Sequence, residues 1–315
     1  MFQLYKKRNF SDYISDTISF FKQFGGHYFK NYLLINGGFL LILSFLLYFL
    51  IKVYFEVLFS SIGTSNSNYF IQYFDSNAGL FIGSLVFFIV LIVIISLLNF
   101  AFPVLYLRFL SENQTINFSS KEIISQLIQN TGRILLFFLG MLFLVFPLLM
   151  LLFILLFVMI FILIGLPLLL VAIPASLAWI NFSFYSYLSE KTSFFESLRI
   201  GFNMVKQKFW AVTGTTMVVL ILIQIIQGII TMIPYFIGMV YFFTSANNSV
   251  ATQDGNPMTS LGLFATVIMI LGILFSYFSN NLILINQGIM YYSLCEENTG
   301  VTLLQDIDLI GTHDE

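Results

Sequence analysis

The sequence predicts an all-α integral membrane protein, with six transmembrane helices forming three hairpins, each preceded by a cytoplasmic interfacial amphipathic helix. Three observations carry this expectation. Of 315 residues, 59% are hydrophobic and only 9% charged, where a soluble domain carries about 25% charged residues. The apolar residues come in long unbroken blocks, whereas an outer-membrane barrel would show alternating segments of roughly ten residues. Finally, nearly all Lys and Arg residues fall on one side of a six-span trace.

Each element follows from the chain in order. Before the first span, Ile14, Ile18, Phe21 and Tyr28 face one way and Asp12, Ser15, Ser19, Lys22 and Gln23 the other, the spacing of an amphipathic helix lying at the bilayer surface. A crossing helix needs about 20 apolar residues. The uncharged stretches are Asn31 to Ile51, Ser76 to Leu107, Ile134 to Ser189, Phe209 to Gln253 and Gly255 to Cys295. The third has 56 residues, too many for one tilted helix, and is expected to turn at Gly165-Leu-Pro167. Six spans result, at 33–58, 80–108, 134–160, 166–188, 211–243 and 260–292. A second amphipathic stretch, Ser119 to Gly132, precedes the third span, with Ile124, Leu127 and Ile128 opposite Lys121, Glu122 and Gln126. A third runs from Ser193 to Trp210, with Phe194, Leu198, Phe202, Val205 and Phe209 on one stripe and Glu196, Arg199, Asn203 and Lys206 on another.

Charge sets the orientation. Lys6, Lys7, Arg8, Lys22, Lys30, Arg108, Lys121, Arg133, Lys191, Arg199, Lys206 and Lys208 share one side, and only Lys52 lies on the other. The positive-inside rule puts both termini in the cytoplasm, and a bacterial inner membrane is the expected location. The first span is expected to serve as an uncleaved insertion signal.

The segments after the second, fourth and sixth spans repeat. They read Leu110-Ser-Glu112, Leu188-Ser-Glu190 and Leu294-Cys-Glu296, each preceded by tyrosine, at Tyr106, Tyr187 and Tyr292. One membrane domain, 1–315, is therefore read as three parallel units, about 10–112, 118–190 and 193–297, with a short tail at 298–315. Within that tail, Val301 to Gly311 resembles Thr192 to Gly201. Parallel units differ from the inverted repeats of many secondary transporters.

The entry Phe10-Ser-Asp-Tyr-Ile-Ser-Asp-Thr, the segment Ser193-Phe-Phe-Glu-Ser-Leu-Arg leading through Lys208-Phe-Trp210, and the closing Tyr291-Tyr-Ser-Leu-Cys-Glu-Glu together resemble a poorly characterised bacterial membrane family. That family includes the membrane domain of glycerophosphodiester phosphodiesterases. The resemblance implies a shared architecture and a place near glycerophospholipid metabolism. It implies no hydrolase activity, because the family's enzymes carry that activity in a separate soluble domain and only about twenty residues follow the last span here.

Chemistry-bearing patterns are few. The sequence has two histidines, His27 and His313, and one cysteine, Cys295, so a His-based metal site and an internal disulfide are not expected. No His-Glu-x-x-His, Gly-x-Ser-x-Gly or Walker pattern occurs, and neither an enzyme nor a cofactor is expected. A net charge of -2 without a long basic run speaks against nucleic acid. Among ionisable groups, Lys52 and Glu56 sit one helical turn apart at the outer end of the first span, where they can pair and snorkel, and Arg108 anchors the inner end of the second.

Uncharged polar residues are the candidate intramembrane contacts. Asn99, Asn181 and Asn286 lie at roughly equivalent depths in the even-numbered spans, and Gln224 and Gln227 share a face of the fifth. They are read as interhelical hydrogen-bonding groups or as the lining of a pathway. Pro103, Pro147, Pro174 and Pro234 interrupt spans and should kink them or free carbonyls. Gly79 and Gly83 form a small-xxx-small pair. Lys6, Lys7 and Arg8 are candidate contacts for anionic lipid head groups.

The function expected is that of a non-enzymatic membrane scaffold or subunit, binding lipid, protein partners or a second copy of itself at its cytoplasmic face. The alternative is a transporter or channel for a small or lipidic solute.

Overall fold

The computed structural model describes residues 2–63, 69–113, 115–248 and 257–299. The described elements are helical throughout: α1 (Phe10–Gly63), α2 (Tyr69–Asn113), α3 (Ser120–Gly140), a π turn (Met141–Val145), α4 (Phe146–Val158), a 3-10 turn (Met159–Ile162), α5 (Gly165–Ser189), α6 (Phe194–Gln207), α7 (Phe209–Asn248) and α8 (Pro257–Thr299). Among the described residues, six helices are long and apolar enough to cross a membrane. The loop positions 64–68 and 249–256, the tail 300–315 with His313, and the Glu56 side chain lie outside the described residues.

Two of the amphipathic stretches are not separate helices. α1 and α3 begin at Phe10 and Ser120 and run directly into their apolar blocks. No proline interrupts either stretch, and Gly25, Gly26 and Gly132 all keep negative φ, so nothing stops the helix. Only α6 is separate, ending at Lys208 with φ -127° and ψ 49°.

The starts of these helices share a device. At α1 the Asp12 amide donates to Asn9 Oδ1 and the Asn9 amide donates to Asp12 Oδ2, each at 3.1 Å. At α6 the Glu196 amide donates to Ser193 Oγ at 3.4 Å. Ser119 and Glu122 have the same spacing at α3, where the Ser119 hydroxyl donates to the Glu122 carboxylate at 3.3 Å. A polar cap followed three residues later by an acid offers partners to amides at a helix start that have no intrahelical acceptor.

The long third apolar block turns close to the expected place. Helix stops at Ile162, Leu163 adopts φ 62°, and α5 opens at Gly165. A Cβ on Gly165 would lie 2.2 Å from the Leu156 carbonyl oxygen, so only glycine allows this close return. Pro147 has a different consequence from a simple kink. Its ring would clash with the Phe143 carbonyl, four residues earlier. The chain relieves this by widening one turn, in which the Phe146 amide bonds the Met141 carbonyl five residues back. Helices α2, α5 and α7 continue through Pro103, Pro174 and Pro234.

Two compact units divide the chain, and their limits cut across the three expected repeats. The first comprises Met1–Ile35, Leu97–Ile223 and Asn280–Glu315, the second Asn36–Ser96 and Gln224–Ser279. In the first, α1 lies antiparallel to α2: the Tyr28 ring meets Phe102 at 5.0 Å and Tyr106 at 4.9 Å. Phe137 of α3 packs on Phe184 at 5.0 Å and on Tyr187 at 5.1 Å. Val219 and Ile223 of α7 pack with Ile283 and Leu284 of α8. In the second unit, α7 meets α8 where Gly238 faces Phe264 and Gly272 faces Thr231. Gly79 and Gly83 have no described atom within 4 Å of a built Cβ, and among the described residues close helix approaches occur at Gly201 and Gly288.

Candidate functional site

The first unit holds three features of interest: a polar lattice between helices, a junction at the charged helix ends, and an apolar cleft. The lattice begins with aromatic hydroxyls. Tyr28 donates to Asn281 Oδ1 at 2.6 Å and Tyr32 to Asn99 Oδ1 at 2.9 Å. His27 Nδ1 lies 2.9 Å from the Tyr106 hydroxyl, and Tyr185 donates to the Leu284 carbonyl at 3.0 Å. Asn286 donates to Thr17 Oγ1 at 2.9 Å and to the Tyr13 carbonyl at 3.2 Å, while Gln287 donates to Thr216 Oγ1 at 2.7 Å. A buried amide away from water needs such partners, since each unmet group costs about 1–3 kcal/mol.

The predicted polar residues therefore separate. Asn99 and Asn286 connect helices, but among the described residues Asn181 donates to Leu177 of its own helix alone, at 3.0 Å. Counted back from the repeated exit strings, Gln287 and not Asn286 is the counterpart of Asn181. Gln224 and Gln227 belong to the other unit. Tyr28, Tyr32, Asn281 and Gln287 were missed because a tyrosine beside a charged flank reads as an interfacial anchor, and nothing in one dimension marks its partner.

The three exit strings, distant in sequence, come together. Leu110, Leu188 and Leu294 are all buried. The Tyr292 hydroxyl points toward those of Ser111 and Ser189, and its ring meets Tyr5 edge-on at 5.2 Å. Tyr291 donates to the Glu190 carboxylate, which also accepts from Ser186 at 3.3 Å. Cations close the helix ends, where carbonyls lack partners. Arg133 donates to the carbonyls of Tyr187 and Thr192 at 2.8 and 2.9 Å and lies 4.3 Å over the Tyr187 ring. Lys208 pairs with Glu297 and donates to the Arg8 carbonyl at 3.0 Å. Arg108 pairs with Glu112 at 2.8 Å.

Tyr5, ahead of the first helix, senses this gathering. Burial first, then the neighbouring acidic groups Cys295, Glu190, Glu112 and Glu296, push its phenol from the ordinary 10.0 to about 12. The sign follows directly: the unfolded chain ionises first, so the contribution of Tyr5 is intact below about pH 10 and is lost between about pH 10 and 12. Tyr5→Phe should accordingly show a smaller fall in unfolding midpoint than the parent between about pH 9 and about pH 11. Equal falls would place Tyr5 away from these carboxylates.

Of the predicted head-group contacts, Lys6 and Lys7 are exposed, but Arg8 is turned inward. Its guanidinium pairs with Asp16 at 2.8 Å and donates to the carbonyls of Leu4 at 2.7 Å, Lys6 at 3.1 Å and Gln3. A rigid five-donor fork is suited to gathering several acceptors at once. Among the described residues, no group of three or more His, Cys, Asp or Glu could hold a metal ion.

The cleft lies between α4 and α5. Leu142, Phe146, Leu149, Phe153 and Phe157 line one wall, Ile173, Leu177 and Ile180 the other, and Phe100 of α2 closes one side. Its volume is about 880 Å³, within the range of about 300–1,000 Å³ typical of ligand pockets. The Ser176 hydroxyl in its lining donates to the carbonyls of Ala172 and Ile173 of its own helix, at 2.6 and 3.0 Å. The cleft thus presents hydrocarbon.

Beside it, α6 is mounted against α5 through a glycine. A Cβ on Gly201 would lie 2.3 Å from Ser183 Oγ and 2.7 Å from its amide nitrogen, and the Trp179 indole donates to the Leu198 carbonyl at 2.9 Å. Ser197, Gly201, Met204 and Val205 are buried, whereas Phe195, Phe202 and Trp210 are exposed at 71%, 56% and 75%. The predicted stripe is thereby corrected: Val205 packs inward, and Phe202 faces out.

The chain matches no family model, no curated protein and no solved structure.

Proposed function

We propose that the protein is a non-enzymatic integral membrane protein that binds lipid, with a hydrocarbon chain seated in the cleft between α4 and α5. The observation that carries this reading is a lining that offers apolar contact and no free hydrogen-bonding side chain. Such a cavity in a chain with six apolar helices favours an occupant drawn from the bilayer itself. The proposal includes a bacterial inner membrane, both termini in the cytoplasm, and three hairpins introduced by interfacial segments.

Two further features support it. Phe195, Phe202 and Trp210 stand exposed beside Arg199 and Lys206, the residue types that settle a helix at the lipid–water boundary. Lys6 and Lys7 are also exposed and can attract anionic head groups at about 1 kcal/mol each. The same surface could hold a protein subunit, which would add to lipid binding without replacing it.

The test is retention of lipid. Native mass spectrometry of protein extracted in mild detergent should show phospholipid on the parent, and Leu177→Trp, which fills the cleft, should lower the bound fraction about tenfold. A parent free of phospholipid, or a Leu177→Trp variant that keeps it, would sink the proposal.

A further inference from the structure

The segment before α1 makes no helix or strand, yet it is firmly held. Phe2 packs edge-on against Phe20 and Phe24 at 5.8 and 5.9 Å, Leu4 is buried, and Tyr5 rests on Tyr292. These contacts depend on one group. The Arg8 side chain is wholly inaccessible to solvent, and its donors hold the carbonyls of Gln3, Leu4 and Lys6 while pairing with Asp16. Segment 2–8 thus curls around a single guanidinium whose charge is matched by a carboxylate of α1.

The ground beneath it is less well satisfied. The hydroxyls of Tyr13, Ser189, Tyr292 and Ser293 are buried and form no well-made hydrogen bond, with only other hydroxyls to turn to: Tyr13 faces Ser293, and Tyr292 faces Ser111 and Ser189. Buried hydroxyls without a well-formed bond are unusual and costly. Lifting the segment would let water or a polar ligand reach them, which offsets part of the cost of breaking the Arg8 contacts. A covering held chiefly through one carboxylate, with Arg8 at 2.8 Å and Lys6 at 3.5 Å from Asp16 and Lys208 donating to the Arg8 carbonyl, above poorly satisfied polar groups has the makings of two states of similar free energy.

We infer that residues 2–9 form a strap, latched by Arg8 on Asp16, which covers the junction of the three exit strings and opens as a unit. Opening uncovers the hydroxyls of Ser189 and Tyr292 and the half-buried thiol of Cys295, on the same helix as Tyr292. This inference is independent of the lipid cleft, which is lined by α2, α4 and α5 and the π turn between α3 and α4.

Cys295 is the sole cysteine and reports on the strap directly. With the full-length protein in lipid nanodiscs, alkylation by a water-soluble maleimide is followed by mass spectrometry. The parent should react slowly, and Arg8→Gln, Asp16→Asn and Tyr5→Ala should each accelerate labelling on the order of tenfold, because labelling tracks the open population. A second reporter separates opening from unfolding: in a Cys295→Ser background, Ala178→Cys places a thiol in the fully buried α5 position. It should remain unlabelled whether or not Arg8→Gln is added. Unchanged Cys295 rates in all three variants, or labelling of Ala178→Cys once Arg8 is replaced, would overturn the strap.

Discussion

Gly201→Ala should lower unfolding free energy by about 2–3 kcal/mol, a loss at the upper end of that expected for forcing an extra methyl into a packed contact. The new Cβ would sit 2.3 Å from Ser183 Oγ, 2.7 Å from Ser183 N and 2.9 Å from the Trp179 carbonyl oxygen. Two of these atoms are backbone in the middle of α5, so no side-chain rotation clears the clash. The Ser183 hydroxyl is itself tied to the Trp179 carbonyl at 2.7 Å. The helix α6 must therefore move outward, which also breaks the bond from the Trp179 indole to Leu198. Thermal unfolding in detergent measures the first effect, and a shift in tryptophan emission the second. Gly26→Ala is the control, because nothing lies within 4 Å of its built Cβ; it should stabilise by about 0.5–1 kcal/mol, the ordinary gain of alanine over glycine inside a helix. Equal behaviour of the two variants would remove the close α5–α6 contact.

Gly288→Ala should destabilise by about 1–3 kcal/mol, and Tyr185→Phe should recover part of that loss. The built Cβ falls 2.4 Å from the Tyr185 hydroxyl oxygen and 2.3 Å from Leu107 Cδ1. Both are distal side-chain atoms, but Tyr185 is held by its bond to the Leu284 carbonyl, one turn before Gly288. The ring cannot retreat without leaving a buried hydroxyl unpaired. Removing that hydroxyl frees both the space and the obligation, so the two substitutions should be non-additive in a double-mutant cycle. Strict additivity would show that Gly288 and Tyr185 do not meet.

Much of the architecture was legible along the chain, for reasons that can be named. Six spans could be read from five apolar blocks because transfer of hydrocarbon into a bilayer depends on composition and length and hardly on neighbours. The turn after Ile162 was visible because glycine and proline act locally. Helix starts could have been read more fully: Asn9 to Asp12 and Ser193 to Glu196 carry the polar-to-acid spacing in plain sequence. Lys6 and Lys7 stand exposed, as a head-group contact requires, but Arg8 does not. Its preference for three nearby carbonyls and Asp16 arises only when the chain before α1 curls back.

By itself the sequence determined that this is a multi-span helical chain, where its helices lie, and which ends carry charge, because hydropathy and local turn chemistry act on short stretches. Only the tertiary structure decided that Asn286 crosses to α1 while Asn181 stays on its own helix, that three like exit strings meet around Tyr5 and Tyr292, and that α4 and α5 leave a cleft. The physical reason is that helices this apolar are apolar on every face, so no periodicity marks the packed side. The choice falls to the few glycines, amides and hydroxyls whose partners lie on other helices.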